Sequence, residues 1–537
     1  MAAMSQDQED NLRREIGQLF IVGFHGQTVD ENIKKLIRAP YYVGQIVLFQ
    51  RNVASAAQLA KLTHDLQQVA RAGGHERPLI IGIDQENGLV TRIAPPITAQ
   101  LPGSMAIGAT GSPDAAFRVG RGTGEILRSL GINMNYGPVC DVNNNPLNPV
   151  IGVRSFGDDP EKVSIMALQN MHGLRDGGVI SCAKHFPGHG DTAVDSHYGL
   201  PKIEKTWEQL ELCEVVPFRE VVRNKIESVM TAHIVFGDSS LPATLDPRVL
   251  SKLRSGLDFQ GVIISDCLEM NAIRTECGGT VQGAVTALKA GCDCVMICHT
   301  IDLQTGALEA VFEAAKDNDF AEQLRESLKR VSATRGDMSI ETACREPDLK
   351  KFWQISAENA KLAQDLYQHS ATFVRTSSKL PLRKGNKILF AMPADMPTPS
   401  GVVEYGDLQG PVPETPSGYL EVLKSFSPSV EHMKFFQDGR NDKEILDAAA
   451  AVDVVILATR NARLSPYQRN MVKALQSAAP CLVVVATCDP YDFLGKDGAF
   501  VENYVAIYEP TVAAFKGAAD NLFGLRHPTG RLPVQSS

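Results

Sequence analysis

No stretch of this 537-residue sequence stays apolar long enough to span a bilayer; the β-rich apolar runs, such as 454–458 and 481–486, are strand-sized. A basic excess is also lacking. Lys plus Arg is 53 against 62 Asp plus Glu, a formal charge of −9, which argues against a general phosphate-backbone binder. Gly 44 and Pro 30 are too few for a collagenous or disordered chain. Residues 1–14 are polar and acidic, without the apolar centre of a signal peptide. There is no Asn-x-Ser/Thr sequon, and the 11 cysteines are odd in number and mostly embedded in apolar runs. Reduced thiols in a cytoplasmic protein are the simplest expectation. The close trio Cys292, Cys294 and Cys298 has no second Cys pair at zinc-ribbon spacing and reads as small core side chains on a strand.

What is present is ordinary globular material, 44% hydrophobic and 21% charged, in a length that suits two to four domains, or fewer if one is a barrel. The first 300 residues hold eight short β-rich runs, at 19–23, 45–49, 79–83, 132–139, 179–183, 228–232, 262–265 and 294–297, each separated by room for a helix and a loop. Several are apolar throughout, as strands buried on both faces of a parallel sheet should be. Between the fourth and fifth runs, Asp158 and Asp159 stand where an N-cap belongs and Pro160 suits the first turn. Val163, Ala167, Met171 and Leu174 then share one face before Gly177 and Gly178 stop the helix. Eight strand–helix repeats predict a (β/α)8 TIM-type barrel over residues 1–340, with a doubly wound sheet as the alternative. Residues 341–385 read as a helical and extended linker. Residues 386–537, with strand candidates near 388, 454, 482 and 504, read as a smaller α/β sandwich.

In a barrel the chemistry belongs at the carboxyl ends of the strands. The third run ends in Asp84-Gln85-Glu86-Asn87-Gly88, the fifth in Lys184-His185-Phe186-Pro187-Gly188-His189-Gly190 leading to Asp195-Ser196-His197, the sixth in His233 and the seventh in Asp266. Titratable groups thus recur at one rim. A helical zinc pair of His185 and His189 is forbidden by Pro187 and Gly188 between them. Lys184, His233 and Asp266 are similar to strand-end ligands of metal-dependent barrel hydrolases. The His-x-His pair usual after the first strand is missing, since only His25 is there.

Two residues apart on a loop, Asp195 can hydrogen-bond the imidazole of His197, fix its tautomer and raise its pKa, which makes His197 a competent proton donor. Asp266 at a rigid strand end suits a nucleophile, although it also suits the N-cap of a following helix. A proton donor opposite a carboxylate nucleophile is the apparatus of a retaining glycosidase. Most such enzymes use a second carboxylic acid in the donor role.

The loop KHFPGHGDTAVDSH (184–197) resembles the KHFPGHG-x4-DSH signature of glycoside hydrolase family 3 β-N-acetylhexosaminidases. Further collinear segments are similar to that family: GQIVLFQRN (44–52), IDQENGLVTRI (83–93), LPGSMAIGA (101–109), LGINMNYGPVCDVNNNPLNPVIGVRSFGDDP (130–160), MTAHIVF (230–236), PATLDPRVL (242–250) and GVIISDCLEM (261–270). The C-terminal YEPTVAAFKGAADNLFG…HPTGRLPV is similar to the second domain of longer members. The resemblance implies a (β/α)8 barrel that removes terminal N-acetyl-β-D-glucosamine by a retaining, cofactor-free and metal-free mechanism. It implies Asp266 as nucleophile and His197, partnered by Asp195 on a mobile loop, as acid/base. Asp84, Arg154, Lys184, His185 and His189 would hold the sugar, with Arg92 near them and His233 behind them. The expected partner is a small saccharide, with no nucleic acid or membrane, and the chain is expected to be a monomer or homodimer. One departure is Asn87-Gly88, where bacterial members commonly read Gly-Gly. Alternatives on the same scaffold are a phosphorylase releasing sugar 1-phosphate and a β-glucosidase. From other classes come a metal-dependent barrel hydrolase and a catalytically silent sugar-binding protein.

Overall fold

The computed structural model describes residues 4–196, 199–275, 277–394 and 416–535. His197, the expected acid/base, lies outside the described residues, and so does most of the Pro/Gly-rich stretch 397–416. Eight parallel strands close into a barrel in simple sequential order. They are β1 (Phe20–Val22), β2 (Gln45–Leu48), β3 (Ile80–Ile83), β4 (Met134–Asn135), β5 (Ile180–Phe186), β6 (Ser228–Thr231), β7 (Val262–Cys267) and β8 (Cys294–Ile297). Each falls within or across one of the eight apolar runs. The fourth is the shortest, because Gly137 and Pro138 follow it and Pro138 has no N–H to give a ladder. Pairing resumes beyond them, where Val139 bridges Lys184.

The helix expected after Asp159 is present as Pro160–Asp176. The Asp159 side chain accepts from the Glu161 and Lys162 amides, and Gly177 closes the other end. A short parallel pair, Lys202–Ile203 with Val235–Phe236, lies outside the barrel and was not foreseen from the sequence. It braces the loop region between β5 and β6 against the segment that follows β6.

The second sheet has six strands: β9 (Thr372–Arg375), β10 (Ile388–Pro393), β11 (Val430–Phe435), β12 (Val454–Thr459), β13 (Leu482–Ala486) and β14 (Tyr504–Ala506), in the order β9-β14-β13-β12-β10-β11. All neighbours are parallel except the β9–β14 edge. The stretch read as linker therefore contributes more than a connection. It carries the 22-residue helix Leu349–Ser370, which packs on barrel helices and on Val512–Leu522, and then the edge strand β9. Alternation along the strands divides the core. Ile388, Phe390, Ile456 and Val485 join the apolar core of the barrel, whereas Leu389, Val455, Leu457 and Val484 build a separate core on the opposite face.

The two units also meet through polar contacts. Glu509 accepts from the Gly103 amide at 2.7 Å and from the Tyr367 hydroxyl, and Asn143 donates to the Tyr491 hydroxyl at 3.1 Å. The C-terminal segment returns to the barrel, where Arg531 N donates to Ala109 O at 2.9 Å and Gln535 N to the Asp158 carboxylate at 2.6 Å.

Candidate active site

A cavity of about 350 Å³ opens at the carboxyl end of the barrel. Asp84, Arg154, Lys184, His185, His189 and Asp266 all line it, together with Arg92 and Ser196. Among the described residues, no side chain from the second sheet unit reaches it. Strand ends from β3, β5 and β7 deliver the acidic, basic and imidazole groups from different directions, which is how a barrel gathers residues far apart in sequence.

One wall is a buried charge cluster. Arg154 makes a two-pronged pair with Glu86, Nε to Oε2 at 2.9 Å and Nη2 to Oε1 at 2.8 Å. Lys184 Nζ reaches Glu86 Oε1 at 2.6 Å and Asp84 Oδ1 at 2.7 Å. Burial alone would favour a protonated Glu86, but Arg154 and Lys184 outweigh it and hold the carboxyl well below its ordinary range. Burial likewise opposes the charges on Arg154 and Lys184, and the facing carboxylates keep both more basic than usual. Two cations and the partly exposed Asp84 are therefore fixed at the cavity surface, donors and acceptor for neutral hydroxyls.

The next wall is an imidazole pair anchored on Asp141. Its Oδ2 lies 2.7 Å from His185 Nδ1, and its Oδ1 accepts the backbone N–H of His189 at 2.7 Å and of His185 at 3.1 Å. Asp141 is fully buried, which resists its ionisation, yet His185 beside it keeps the carboxyl below its usual value. An Asp141 acceptor makes His185 Nδ1 the donor and turns Nε2 toward Arg154 Nη2, 3.4 Å away. His189 faces His185 edge-on, with ring centroids 5.8 Å apart. Burial and that neighbour push His189 down to about 4, so it is neutral at ordinary pH.

The glycines of the loop have a steric reason. Gly188 sits at φ +137°, and a Cβ there would come within 2.6 Å of the Glu214 side chain; a Cβ at Gly190 would lie 1.6 Å from the Val142 carbonyl oxygen. The loop is therefore pressed onto its neighbours before it turns toward the cavity. Its far part is tied back by Ser196, whose Oγ lies 3.1 Å from His189 Nε2. Asp195 is buried just before it. Ser196 itself lines the cavity.

Asp266 is half-buried near the end of β7, with Oδ1 accepting the Cys267 amide at 2.7 Å. His233 does not line the cavity. Its Nδ1 meets Thr244 Oγ1 at 2.8 Å and its Nε2 meets the Cys267 carbonyl oxygen at 3.0 Å, so it steadies the backbone that carries Asp266. Thr244 and Cys267 already take up both ring nitrogens, which does not suit His233 to the ligand role in the metal-hydrolase alternative. Asn87 adopts φ +66°, a left-handed conformation that Asn tolerates, and its amide donates to Thr123 Oγ1 at 3.0 Å. The departure from Gly-Gly thus falls away from the cavity lining.

Two contributors were missed from the sequence, Glu86 and Asp141. Glu86 stood inside a quoted strand end without a role. Asp141 follows the fourth run, and applying the strand-end rule there as at the other runs would have found it.

Residues 11–334 match the glycosyl hydrolase family 3 N terminal domain. A fungal multi-domain family 3 β-N-acetylglucosaminidase superposes with a TM-score of 0.89 at 37% identity, covering 97% of this chain and 60% of that one. A family 3 β-N-acetylglucosaminidase from Paenibacillus sp. gives a TM-score of 0.86 at 32% identity over 100% of both chains. Beta-hexosaminidase A of Pseudoalteromonas piscicida is 32% identical over 395 residues, 68% of this chain and 65% of that protein. The chain thus spans under two thirds of the length of that relative and of the fungal one.

Proposed function

Because the chain belongs to glycosyl hydrolase family 3, we propose that it is a retaining exo-β-N-acetylglucosaminidase of the EC 3.2.1.52 type. The observation that carries this reading is that Asp266 borders the same cavity as the Asp84–Lys184–Glu86–Arg154 cluster and the His185–His189 pair. Asp266 attacks the anomeric carbon and forms a glycosyl-enzyme. His197, partnered by Asp195, gives its proton to the leaving oxygen and then takes one from water. Asp84, Arg154, Lys184, His185 and His189 hold the sugar through hydrogen bonds that tighten as positive charge develops at the anomeric carbon. A cavity of about 350 Å³ sits at the small end of ligand sites, roughly 300–1,000 Å³, and supports removal of one terminal sugar from a small saccharide. All 11 cysteines are free thiols, which supports a reducing, cytoplasmic setting. We propose a monomer or homodimer as the working unit.

The test compares chromogenic N-acetyl-β-glucosaminide and β-glucoside, with phosphate varied. Preferential release from the first, without sugar 1-phosphate, is expected; a preference for the glucoside, or phosphate-dependent release, overturns the reading. Asp266→Ala should lower turnover on the order of 10⁴-fold or more while leaving the folded state intact, and near-normal turnover refutes the nucleophile. His197→Ala should cost roughly 10²–10⁴-fold on substrates with poor leaving groups and far less on activated aryl glycosides. Equal losses on both would argue against an acid role.

A further inference from the structure

Beside the sugar cavity, three soft donors meet that are well separated in sequence. Cys267 ends β7, while Cys298 and His299 directly follow β8. These strands are neighbours, with Met296 paired to Cys267, so their ends converge. The two Sγ atoms and a ring nitrogen of His299 all lie within 4.8 Å of one another. Among the described residues they form the one cluster of three His, Cys, Asp or Glu donors this close. Cys292, Cys294 and Cys298 are all buried in the core as expected, and Cys298, just past β8, also lines the cavity together with Cys267 and His299.

The cluster is held in place by its neighbours. Glu269 accepts the backbone N–H of His299 at 2.6 Å and of Thr300 at 3.1 Å. Arg51 donates to the Cys298 carbonyl oxygen at 2.7 Å, and His233 fixes the Cys267 carbonyl at 3.0 Å. The His299 ring packs on Phe49, with centroids 5.5 Å apart. These contacts use backbone groups and ring faces and leave the sulfurs and imidazole grouped. Arg51 is a cation that opposes a second one nearby, and the Glu269 carboxylate offsets it.

We infer that Cys267, Cys298 and His299 form a binding site for a soft divalent cation of the zinc class, and that its occupation inhibits the sugar site. Two thiolates and an imidazole are a donor set zinc takes in tetrahedral geometry, with Zn–S about 2.3 Å and Zn–N about 2.0 Å, which leaves one position for solvent. Binding M²⁺ converts two thiols to thiolates and releases two protons, so the local net charge is unchanged. Asp266 lines the same cavity as the three donors, and we take that cavity to supply the remaining position. A coordinated water, or the Asp266 carboxylate itself, would occupy it. Either narrows the space the pyranose needs or draws the carboxylate from its work.

The full chain, stripped with chelator, is titrated with zinc against a chromophoric chelator and separately with cadmium, whose thiolate charge-transfer absorption reports sulfur ligation. Expected are one tight equivalent, the thiolate–cadmium band, and loss of aryl N-acetylglucosaminide turnover that chelator reverses. Cys298→Ala and Cys298→Ser should each weaken zinc binding roughly a hundredfold or more and reduce the band, with inhibition scored against each variant's own metal-free rate. Inhibition of these variants at the same zinc concentration as the wild type, or zinc bound with turnover undiminished, overturns the inference. Should the variants fail to fold, alkylation of the wild type decides. Zinc should slow modification of Cys267 and Cys298, mapped by mass spectrometry, and unchanged labelling overturns the site. Absorption and labelling do not depend on hydrolysis, so they judge the metal site separately from the proposed activity.

Discussion

Two glutamates, one at the barrel rim and one where the two units meet, both have buried side chains but hold their charge with very different firmness. The Glu86 side chain is 3% exposed and Glu509 is 1% exposed. Glu86 faces Arg154 and Lys184, whose charges more than repay its desolvation, and it stays ionised far below its ordinary pKa. Glu509 is met by neutral donors, the Tyr367 hydroxyl, the Gly103 amide and the Thr511 hydroxyl, and burial pushes it up to about 7. Hydrogen bonds from neutral groups favour the carboxylate, but by less than the loss of water disfavours it. Depth therefore does not set the charge of a carboxyl; the charge of what replaces water does. At the rim a permanent anion holds two cations at the cavity, whereas the junction is near the boundary between charged and neutral.

The most direct way to break this contrast is Glu86→Gln. It keeps the shape but leaves Arg154 and Lys184 with an uncompensated buried charge, a change expected to cost about 3–5 kcal/mol. Denaturant unfolding measures it, and an unchanged midpoint would show that the two cations do not depend on Glu86. Turnover should fall with it, by about a hundredfold even in folded protein, since Arg154 and Lys184 lose their aim. If stability drops and catalysis does not, the cluster is a structural ion pair and not part of the sugar site.

A smaller effect is expected from pH. A carboxyl whose folded pKa is raised contributes stability that is complete below its unfolded value, near 4.5 for Glu509, and that is lost as pH rises through about 7. The loss is on the order of 3 kcal/mol for this one group. Asp492, pushed up to about 7 by burial and by the neighbouring Asp489, should add to it in the same window. Stability compared at pH 5.5 and 8.5 should therefore fall toward alkaline pH, and a flat profile would mean that both groups are better compensated than their surroundings imply. Glu86 has the opposite sign. Its folded pKa is depressed, so its contribution persists above about pH 4.5 and does not take part in the alkaline loss.

These contrasts also mark what the sequence could reveal. The barrel was legible because each buried strand is a local apolar run, and a run such as 262–265 needs no partner to be recognised. The rim was legible in part for the same reason: Asp84 and Asp266 directly follow such runs, and the Lys184–His185 pair prolongs the strand ladder of one. The KHFPGHG loop carried its meaning in fixed spacing, with glycines that the packing against Val142 and Glu214 requires. What was hidden is pairing across distance. Glu86 and Arg154 are 68 residues apart, and Asp141 and His185 are 44 apart. Nothing in local periodicity says which strand-end acid faces which base. The same holds for Glu509, which reads as one more acid after a short strand until the Gly103 turn and the helix Leu349–Ser370 are folded against it. Strand β9 was hidden for another reason: it is an edge strand with a half-buried pattern, next to a polar helix and a Pro/Lys-rich turn.

The smallest expected effect sharpens the comparison most. Glu509→Gln replaces a carboxyl that is largely protonated at pH 5.5 with an uncharged group of the same shape, so stability there should change by less than about 1 kcal/mol. The same substitution at Glu86 removes a permanent charge and should be costly at every pH where proteins fold. At pH 8.5, Glu509→Gln should be more stable than the wild type, because no buried carboxylate has to form beside Tyr367, and part of the alkaline loss should remain through Asp492. Thermal unfolding of the wild type and the two Gln variants at both pH values gives the test. A Glu509→Gln protein that is destabilised at pH 5.5 as much as Glu86→Gln would mean that the junction carboxyl is ionised after all, held by a charge near Gly103, and the distinction between the two sites would be lost.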